Sequence, residues 1–376
     1  MLVRSWIAVT AAFAVVCAFG STAAAGGKGR QCKPSGLPNQ LGETGAVEVA
    51  QPVEYWSKPW LLVADKATRP DKVRLVSADG QIIEIGKPPI TVEPVQWLAR
   101  GRAVYALGKG RSQTAGKSDV VLMRWGTDPR PRLTALRTAV TLEGQLSASF
   151  ANEFLAVSWA EKATDGTLHR MVGFLDSEEL RIPEPKDLGN DSAAAARVQT
   201  VDNGFAVLWT APDGVMRAMF DRFGKPAGTI AKLPFTSTTA DATTNLGVVQ
   251  CADRSWLVRE TRKELALAYW DANGALKELT RLPTSPTETL LPMQCADDSL
   301  VIGRRTLDTK GGNVTLWVST IDLAGKVHDR RVKDMRGTAD DIRMPQFSEA
   351  GAKMTSWWIQ GKGAEAKVWT RELSCD

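Results

Sequence analysis

A short turn returns along this chain about every fifty residues, and few folds can absorb such a pattern. The turns read SADGQ at Ser77–Gln81, DRFGK at Asp221–Lys225, DANGA at Asp271–Ala275 and DLAGK at Asp322–Lys326. Weaker copies, TDPRP at Thr127–Pro131 and DSEEL at Asp176–Leu180, fill the two gaps. Their fourth residues fall at 80, 130, 179, 224, 274 and 325, so the steps are 50, 49, 45, 50 and 51. A second landmark keeps the same period: a Gln, a polar turn and a new apolar run. It is clearest in VVQCADRSWLV (Val248–Val258) and PMQCADDSLVI (Pro292–Ile302), and it recurs around Gln96, Gln199 and Gln346.

Between landmarks each unit holds four short runs of alternating apolar residues, the pattern of antiparallel strands. ARVQTV, FAVLWT, VMRAMFD and GTIAKLP, from Ala196 to Pro234, show all four. Long helical periodicity is missing, and Ala193–Ala196 is the one good helix-forming run. Seven such units line up. Repeated four-stranded units of this length resemble the blades of a β-propeller, and the resemblance covers residues 46–376. It implies an all-β, seven-bladed β-propeller of four-stranded antiparallel blades. Such a ring pairs or covers its sheet edges. WD dipeptides, kelch double glycines and the sialidase Asp-box are missing, so the resemblance is to an architecture and not to one propeller family. The surplus of Trp, 13 against 3 Tyr, then reads as packing between blades: Trp97, Trp125, Trp159, Trp209, Trp256, Trp270, Trp317, Trp357 and Trp369 all fall in or beside strand runs.

The two ends carry further information. Arg4, the apolar run Ile7–Gly20 and the small residues Ala23 and Ala25 form a secretory signal pattern, so residues 1–25 are expected to be cleaved after Ala25. The run is too short to span a bilayer, which needs about 20 residues. A periplasmic or secreted protein follows, and not an integral membrane protein. The last unit lacks an outer strand, and the segment 26–45 is the natural donor of one, closing the ring. Cys32 lies in that segment and Cys375 ends the last blade, so a disulfide between them is expected. Cys251 and Cys295 remain, on the first strands of adjacent units. Four cysteines allow three pairings.

The chemistry on offer is sparse. Once Arg4 is lost with the leader, 46 of the 47 basic residues face 42 acidic ones with no dense Lys/Arg run, which argues against nucleic acid. The only histidines, His169 and His328, have no zinc or nucleophile motif around them, and the cysteines have no C-x-x-C spacing. No metal or cofactor is expected, and no catalytic residue is assigned. Gln96, Gln199, Gln250, Gln294 and Gln346 share one register, with Ser149 in that place in the third unit and Gln51 or Glu54 in the first. On inner strands they would ring a channel, either bonding the neighbouring blade or binding a small solute or ion. Glu153, Asp202, Asp253, Asp297, Asp298 and Glu349 sit near inner turns, where paired carboxylates would serve a glycan hydrolase or lyase, the alternative function. The reading favoured is a monomeric binding or scaffold module for a protein partner in the cell envelope or outside the cell. Its contacts would come from loops on one face: Lys109–Ser118, Glu161–Thr167 and Leu307–Asn313.

Overall fold

The computed structural model describes residues 31–375 apart from 42–44, 67–68, 127, 178–183, 190–195, 202–203, 212–213, 234–244, 252–253, 261–263, 271–275, 284–288, 297–298, 309–311, 337–341, 351–352 and 362–364. The signal sequence expected at 1–25 lies outside the described residues. Those described form β-strands and turns, and no helix among them is long and apolar enough to cross a membrane.

Two short strands, β1 (Cys32–Pro34) and β2 (Asn39–Gln40), precede the first sheet. That sheet is β3 (Val49–Tyr55), β4 (Lys58–Ala64), β5 (Val73–Ser77) and β6 (Ile82–Ile85), hydrogen-bonded in chain order. Next come β7 (Val92–Arg100), β8 (Ala103–Arg111), β9 (Ser118–Trp125), β10 (Arg132–Ala151), β11 (Phe154–Lys162), β12 (Leu168–Asp176) and β13 (Lys186–Asp187), all in one sheet. Two further sheets are β14 (Arg197–Val201) to β17 (Ala231–Leu233), with β15 (Gly204–Ala211) and β16 (Gly214–Asp221) between, and β18 (Asn245–Cys251), β19 (Arg254–Glu260), β20 (Glu264–Trp270) and β21 (Leu276–Pro283). Another holds β22 (Thr289–Ala296), β23 (Ser299–Asp308), β24 (Asn313–Ile321) and β25 (Val327–Arg336). The last comprises β26 (Ile342–Ala350), β27 (Lys353–Gln360) and β28 (Lys367–Cys375), with β1 and β2 both paired to β28.

This is a β-propeller arrangement of antiparallel sheets, with one correction to the expected count. Among the described residues five sheets of four or five strands stand apart, and the rest is one seven-stranded sheet, in place of seven separate blades. The cause is β10, which runs unbroken for 20 residues where the other units have a connection. Its first part pairs with β9 and its second with β11, and register shifts between Ala135 and Val140 and between Glu143 and Ser147 turn it from one partner to the other.

The repeating turn has a local explanation. In Asp221–Lys225 the Asp221 carboxylate accepts the Phe223 and Lys225 amides, both at 2.8–2.9 Å, and Gly224 N donates to Asp221 O at 3.0 Å. Asp322–Lys326 repeats these bonds, and Gly80, Gly224 and Gly325 take φ of 90°, 80° and 78°, the left-handed region where a Cβ is strained. Each turn joins a third strand to a fourth. At Gly224 a Cβ would also meet the Phe174 ring at 2.4 Å. Gly224→Ala is therefore expected to cost about 1–3 kcal/mol in a thermal melt, from backbone strain and overpacking together.

Packing follows the sheet order. Leu257, Ala266 and Ala268 join Val201, Ala206 and Leu208 in one core, while Trp256, Val258 and Leu267 on the opposite face join Leu300, Ile302 and Ile321. A further core joins Leu61, Val63 and Val76 of the first sheet to Trp357, Ile359 and Val368 of the last. Trp97, Trp125, Trp159, Trp209, Trp256 and Trp357 are buried in such clusters, as their strand positions predict. Trp317 and Trp369 are half-buried, and the Trp270 side chain lies outside the described residues.

The N-terminal strand pairs as expected. Cys32 lies opposite Cys375 in the β1–β28 register, and the two form a disulfide. Cys32 N also donates to Thr320 Oγ1 at 3.1 Å, tying β1 to the neighbouring sheet of β24.

Candidate functional site

The inner strands, the first of each repeat, bring the sequence-predicted polar residues together, and hairpin geometry fixes their register. β3, β7, β10, β14, β18, β22 and β26 each close a hairpin of two connecting residues, at Tyr55, Arg100, Ala151, Val201, Cys251, Ala296 and Ala350. Counting four residues back from each closing residue gives Gln51, Gln96, Ser147, Arg197, Gly247, Pro292 and Gln346. Gln199 and Gln294 stand two residues before the hairpin and Gln250 one, so the five glutamines expected to share a register occupy three different ones. In the third unit the matching residue is Ser147, not Ser149. Gln199, Gln294 and Ser149 differ from that register by two residues and so stay on the same face, nearer the hairpin, whereas Gln250 differs by three and changes parity.

Residues in the true register bond across to the next inner strand. Gln96 Nε2 donates to Ala148 O at 2.9 Å and its Oε1 accepts Ala148 N at 2.7 Å. Gln51 does the same to Trp97, with Nε2 to Trp97 O and Trp97 N to Oε1. Ser147 Oγ accepts Val198 N at 3.1 Å. A carboxamide has one donor side and one acceptor side, like a peptide group, so it satisfies an unpaired backbone on an inner edge without a continuous sheet. Gln96→Ala would leave the Ala148 amide and carbonyl unpaired. It is expected to cost about 1–3 kcal/mol in denaturant unfolding, against about 0.5 kcal/mol for a substitution at an exposed site.

At the same register position β14 carries Arg197, whose guanidinium has no hydrogen bond or ion pair among the described residues. Solvent reaches it, yet enough protein surrounds its guanidinium that burial holds its pKa below the ordinary arginine value, with the Glu260 carboxylate opposing. Gln199 lies on the same face of β14. Its Oε1 is buried without a partner, and its Nε2 lies 3.9 Å from where a Cβ on Gly247 would stand. Arg197 begins β14 and Glu260 ends β19, so both lie at the end of the sheets opposite the inner hairpins. The second-to-third strand connections lie at that same end.

Those connections differ from the expected loops. β8 and β9 remain paired to Arg111 and Ser118, so only 112–117 is free of the ladder, and Lys109 and Glu161 lie in strands. The longer connection runs from Asp65 to Lys72, where Asp65 Oδ1 accepts the Asp71 and Lys72 amides at 2.9 and 3.1 Å. Neighbouring elements are tied by side chains. Lys117 Nζ donates to Thr141 Oγ1 at 2.8 Å, Arg137 grips both oxygens of Glu161 at 2.8 and 3.2 Å, and Trp159 Nε1 donates to Glu161 Oε2 at 3.0 Å. The 163–167 turn is fixed by Ala163 N to Thr167 O and Thr167 N to Asp165 Oδ1, both at 2.8 Å, and the Thr167 bonds hold the Asp165 carboxyl below the usual range. Of the loop Leu307–Asn313, residues 309–311 lie outside the described residues.

The remaining sequence candidates are not assembled into one centre. His169 bonds Asp187 at 2.7 Å on β12 and β13, whereas His328 lies 3.9 Å from Asp322 in another sheet. Glu153 is exposed in the β10–β11 hairpin. Asp202, Asp253, Asp297 and Asp298 lie outside the described residues, as do the side chains of Glu349, Gln250 and Gln346. Among the described residues no three His, Cys, Asp or Glu side chains are grouped to hold a metal.

No protein-family profile matches the chain, and no curated protein matches it. Solved structures do. One is a puromycin-hydrolysing peptidase of Mycobacterium tuberculosis, at 12% identity and a TM-score of 0.50, covering 84% of this chain and 51% of that one. A second is the Dos1 propeller, at 12% identity and a TM-score of 0.49, with 84% and 75% covered. The chain thus spans about half the length of the peptidase, and at this identity the likeness is one of fold. The chain is a β-propeller in architecture.

Proposed function

We propose that this chain is an exported β-propeller that binds a protein partner through the end of its sheets carrying the second-to-third strand connections. The observation that carries this reading is the Arg197 guanidinium at that end, without a hydrogen bond or ion pair among the described residues, on the same side of the sheets as connections ordered by side-chain bonds. Preordered loops lose little entropy on binding, and an arginine that has the field of Glu260 but no hydrogen bond or ion pair among the described residues suits a carboxylate on a partner's surface. Export is supported by the leader pattern at 1–25 and by the Cys32–Cys375 disulfide, which persists in oxidising compartments. Crosslinking in the native envelope, followed by capture of wild type and Arg197→Glu, tests the reading. Charge reversal is expected to lower recovery of a specific neighbour by about tenfold or more. Equal recovery would overturn it.

The pairing of β1 and β2 with β28, together with the core shared by the first and last sheets, supports a closed ring. A second clasp belongs to the same reading. Cys295 is disulfide-bonded and packs toward the β18–β21 sheet, and Cys251 ends β18. Cys251 closes its hairpin while Cys295 stands one residue before the closing Ala296, and this offset turns the two positions toward each other. A non-reducing peptide map of the mature chain is expected to link Cys251 to Cys295; a free Cys251 thiol, or a link from Cys295 to Cys32 or Cys375, would refute the assignment.

A further inference from the structure

At the opposite end of the sheets, where the hairpins and the third-to-fourth turns lie, a cavity of about 420 Å³ opens between two sheets. Phe174 of β12 and Pro185 line it from one sheet, and Phe223 and Gly224 from the Asp221–Lys225 turn of the next. Phe223 is 61% exposed although it is a large apolar side chain. One face of its ring is covered by the Arg222 guanidinium, 4.7 Å from the centroid, and Phe154 meets it edge-on at 4.9 Å. The ring is therefore fixed in place while part of it remains open to solvent.

The same cavity is lined by Lys186, Lys225 and Glu184. Among the described residues neither ammonium has an ion pair or a side-chain hydrogen bond. Lys225 is exposed and Lys186 half-buried. The backbone of the Lys225 turn is held by Asp221, so its position does not depend on its own side chain. An immobilised aromatic ring, a buried aromatic floor and, among the described lining residues, two cations against one carboxylate together point to a ligand with an apolar ring face and negative charge.

We propose that this cavity is a binding site for a sugar ring bearing a carboxylate, as in a uronic-acid glycan. The C–H face of the sugar stacks on Phe223, its carboxylate lies between Lys186 and Lys225, and its hydroxyls stay in water on the open side. That openness favours a sugar over a flat aromatic acid, which would gain little from a cavity that leaves both its faces partly wet. The volume suits one or two pyranose rings. The site is independent of the protein-binding end and of Arg197.

Calorimetric titration of the full mature chain with trigalacturonate, galactotriose, benzoate and a hexaglutamate peptide tests the proposal. Trigalacturonate is expected to bind, with affinity falling as salt is raised and dropping about tenfold or more in Lys186→Gln/Lys225→Gln and in Phe223→Ala. Both variants alter exposed or half-buried side chains, and unchanged melting temperatures would confirm that they fold. Arg197→Glu is expected to bind the sugar as wild type does, which separates this site from the protein-binding end. Binding of galactotriose with equal affinity, tighter binding of benzoate or of the peptide, unaltered binding by the two variants, or no binding of trigalacturonate at all would each overturn it.

Discussion

Replacing Cys32 and Cys375 together with alanine is expected to destabilise the chain by about 5–6 kcal/mol, the largest loss among the changes considered, because the bridge closes nearly the whole chain into one loop. Their sequence separation is 343 residues. In the loop-entropy model the cost of closure grows only with the logarithm of length, so this bridge exceeds one across a single repeat by only about 1–2 kcal/mol. For a chain of this size that loss corresponds to a fall in melting temperature of roughly 7 °C, taking about 2.1 cal/mol/K of unfolding entropy per residue. Scanning calorimetry with and without reductant measures it. The oxidised variant should melt above the reduced wild type, because it keeps the Cys295 bridge, and reductant should bring the two together. A second effect adds to the first: Cys32 N bonds Thr320 Oγ1 across to the β22–β25 sheet, so fraying of β1 removes contacts from two sheets. Hydrogen exchange in β1 and β28 should rise before exchange elsewhere. A shift below about 1 °C would mean that β-pairing alone holds the ends.

The parts of this fold legible in the sequence are those whose physics is local. A D-x-x-G turn states its own geometry, because the Asp carboxylate caps nearby amides and only Gly fits the positive φ at its fourth position. Burial of the Trp residues follows from their place in apolar runs. The disulfide partner of Cys32 follows from the last sheet, which has three strands of its own in β26–β28 and takes β1 as another. The glutamine register was hidden because the glutamines stand at different distances from their hairpins, and a hairpin's closing pair is not marked in the sequence: β14 and β18 pair without a register shift, whereas β7, β22 and β26 shift. Shifts fall between Pro94 and Gln96, between Leu290 and Met293, and between Arg343 and Gln346, and each of these three stretches contains a proline, Pro94, Pro292 or Pro345. Proline cannot donate to a ladder and is tolerated on an inner strand because that strand has a neighbour on one side only.

The blade count failed for the complementary reason. The stretch Arg132–Ala151 has no proline, and the one Gly within it, Gly144, does not end the strand, so nothing local stops pairing from passing from β9 to β11. The sugar cavity was invisible because its residues come from separate repeats: Lys186 and Phe174 belong to one, Phe223 and Lys225 to the next. A cavity wall assembled across repeats has no sequence spacing of its own.

Trp159→Ala is expected to cost about 3–5 kcal/mol, the typical loss for truncating a fully buried tryptophan. Trp159 is 0% exposed and packs with Tyr105, Leu107, Val120 and Leu122 from β8 and β9 and with Leu155 and Val157 on its own strand. Its indole N–H donates to Glu161, which also holds Arg137. Packing outweighs these polar bonds: Glu161 is only 14% exposed but Arg137 is 41% exposed, so that ion pair is screened and Glu161→Gln should cost under about 1 kcal/mol. Trp159→Phe separates the terms, since it keeps most of the ring volume and removes only the N–H bond, and about 1–2 kcal/mol is expected. The distribution of the loss tests the fused sheet itself. Because the cavity opens between the β8–β9 half and the β11 half, exchange protection should fall in both, within a single unfolding transition. Loss confined to β11 and β12 would show that β10, although continuous, separates two independently folding sheets.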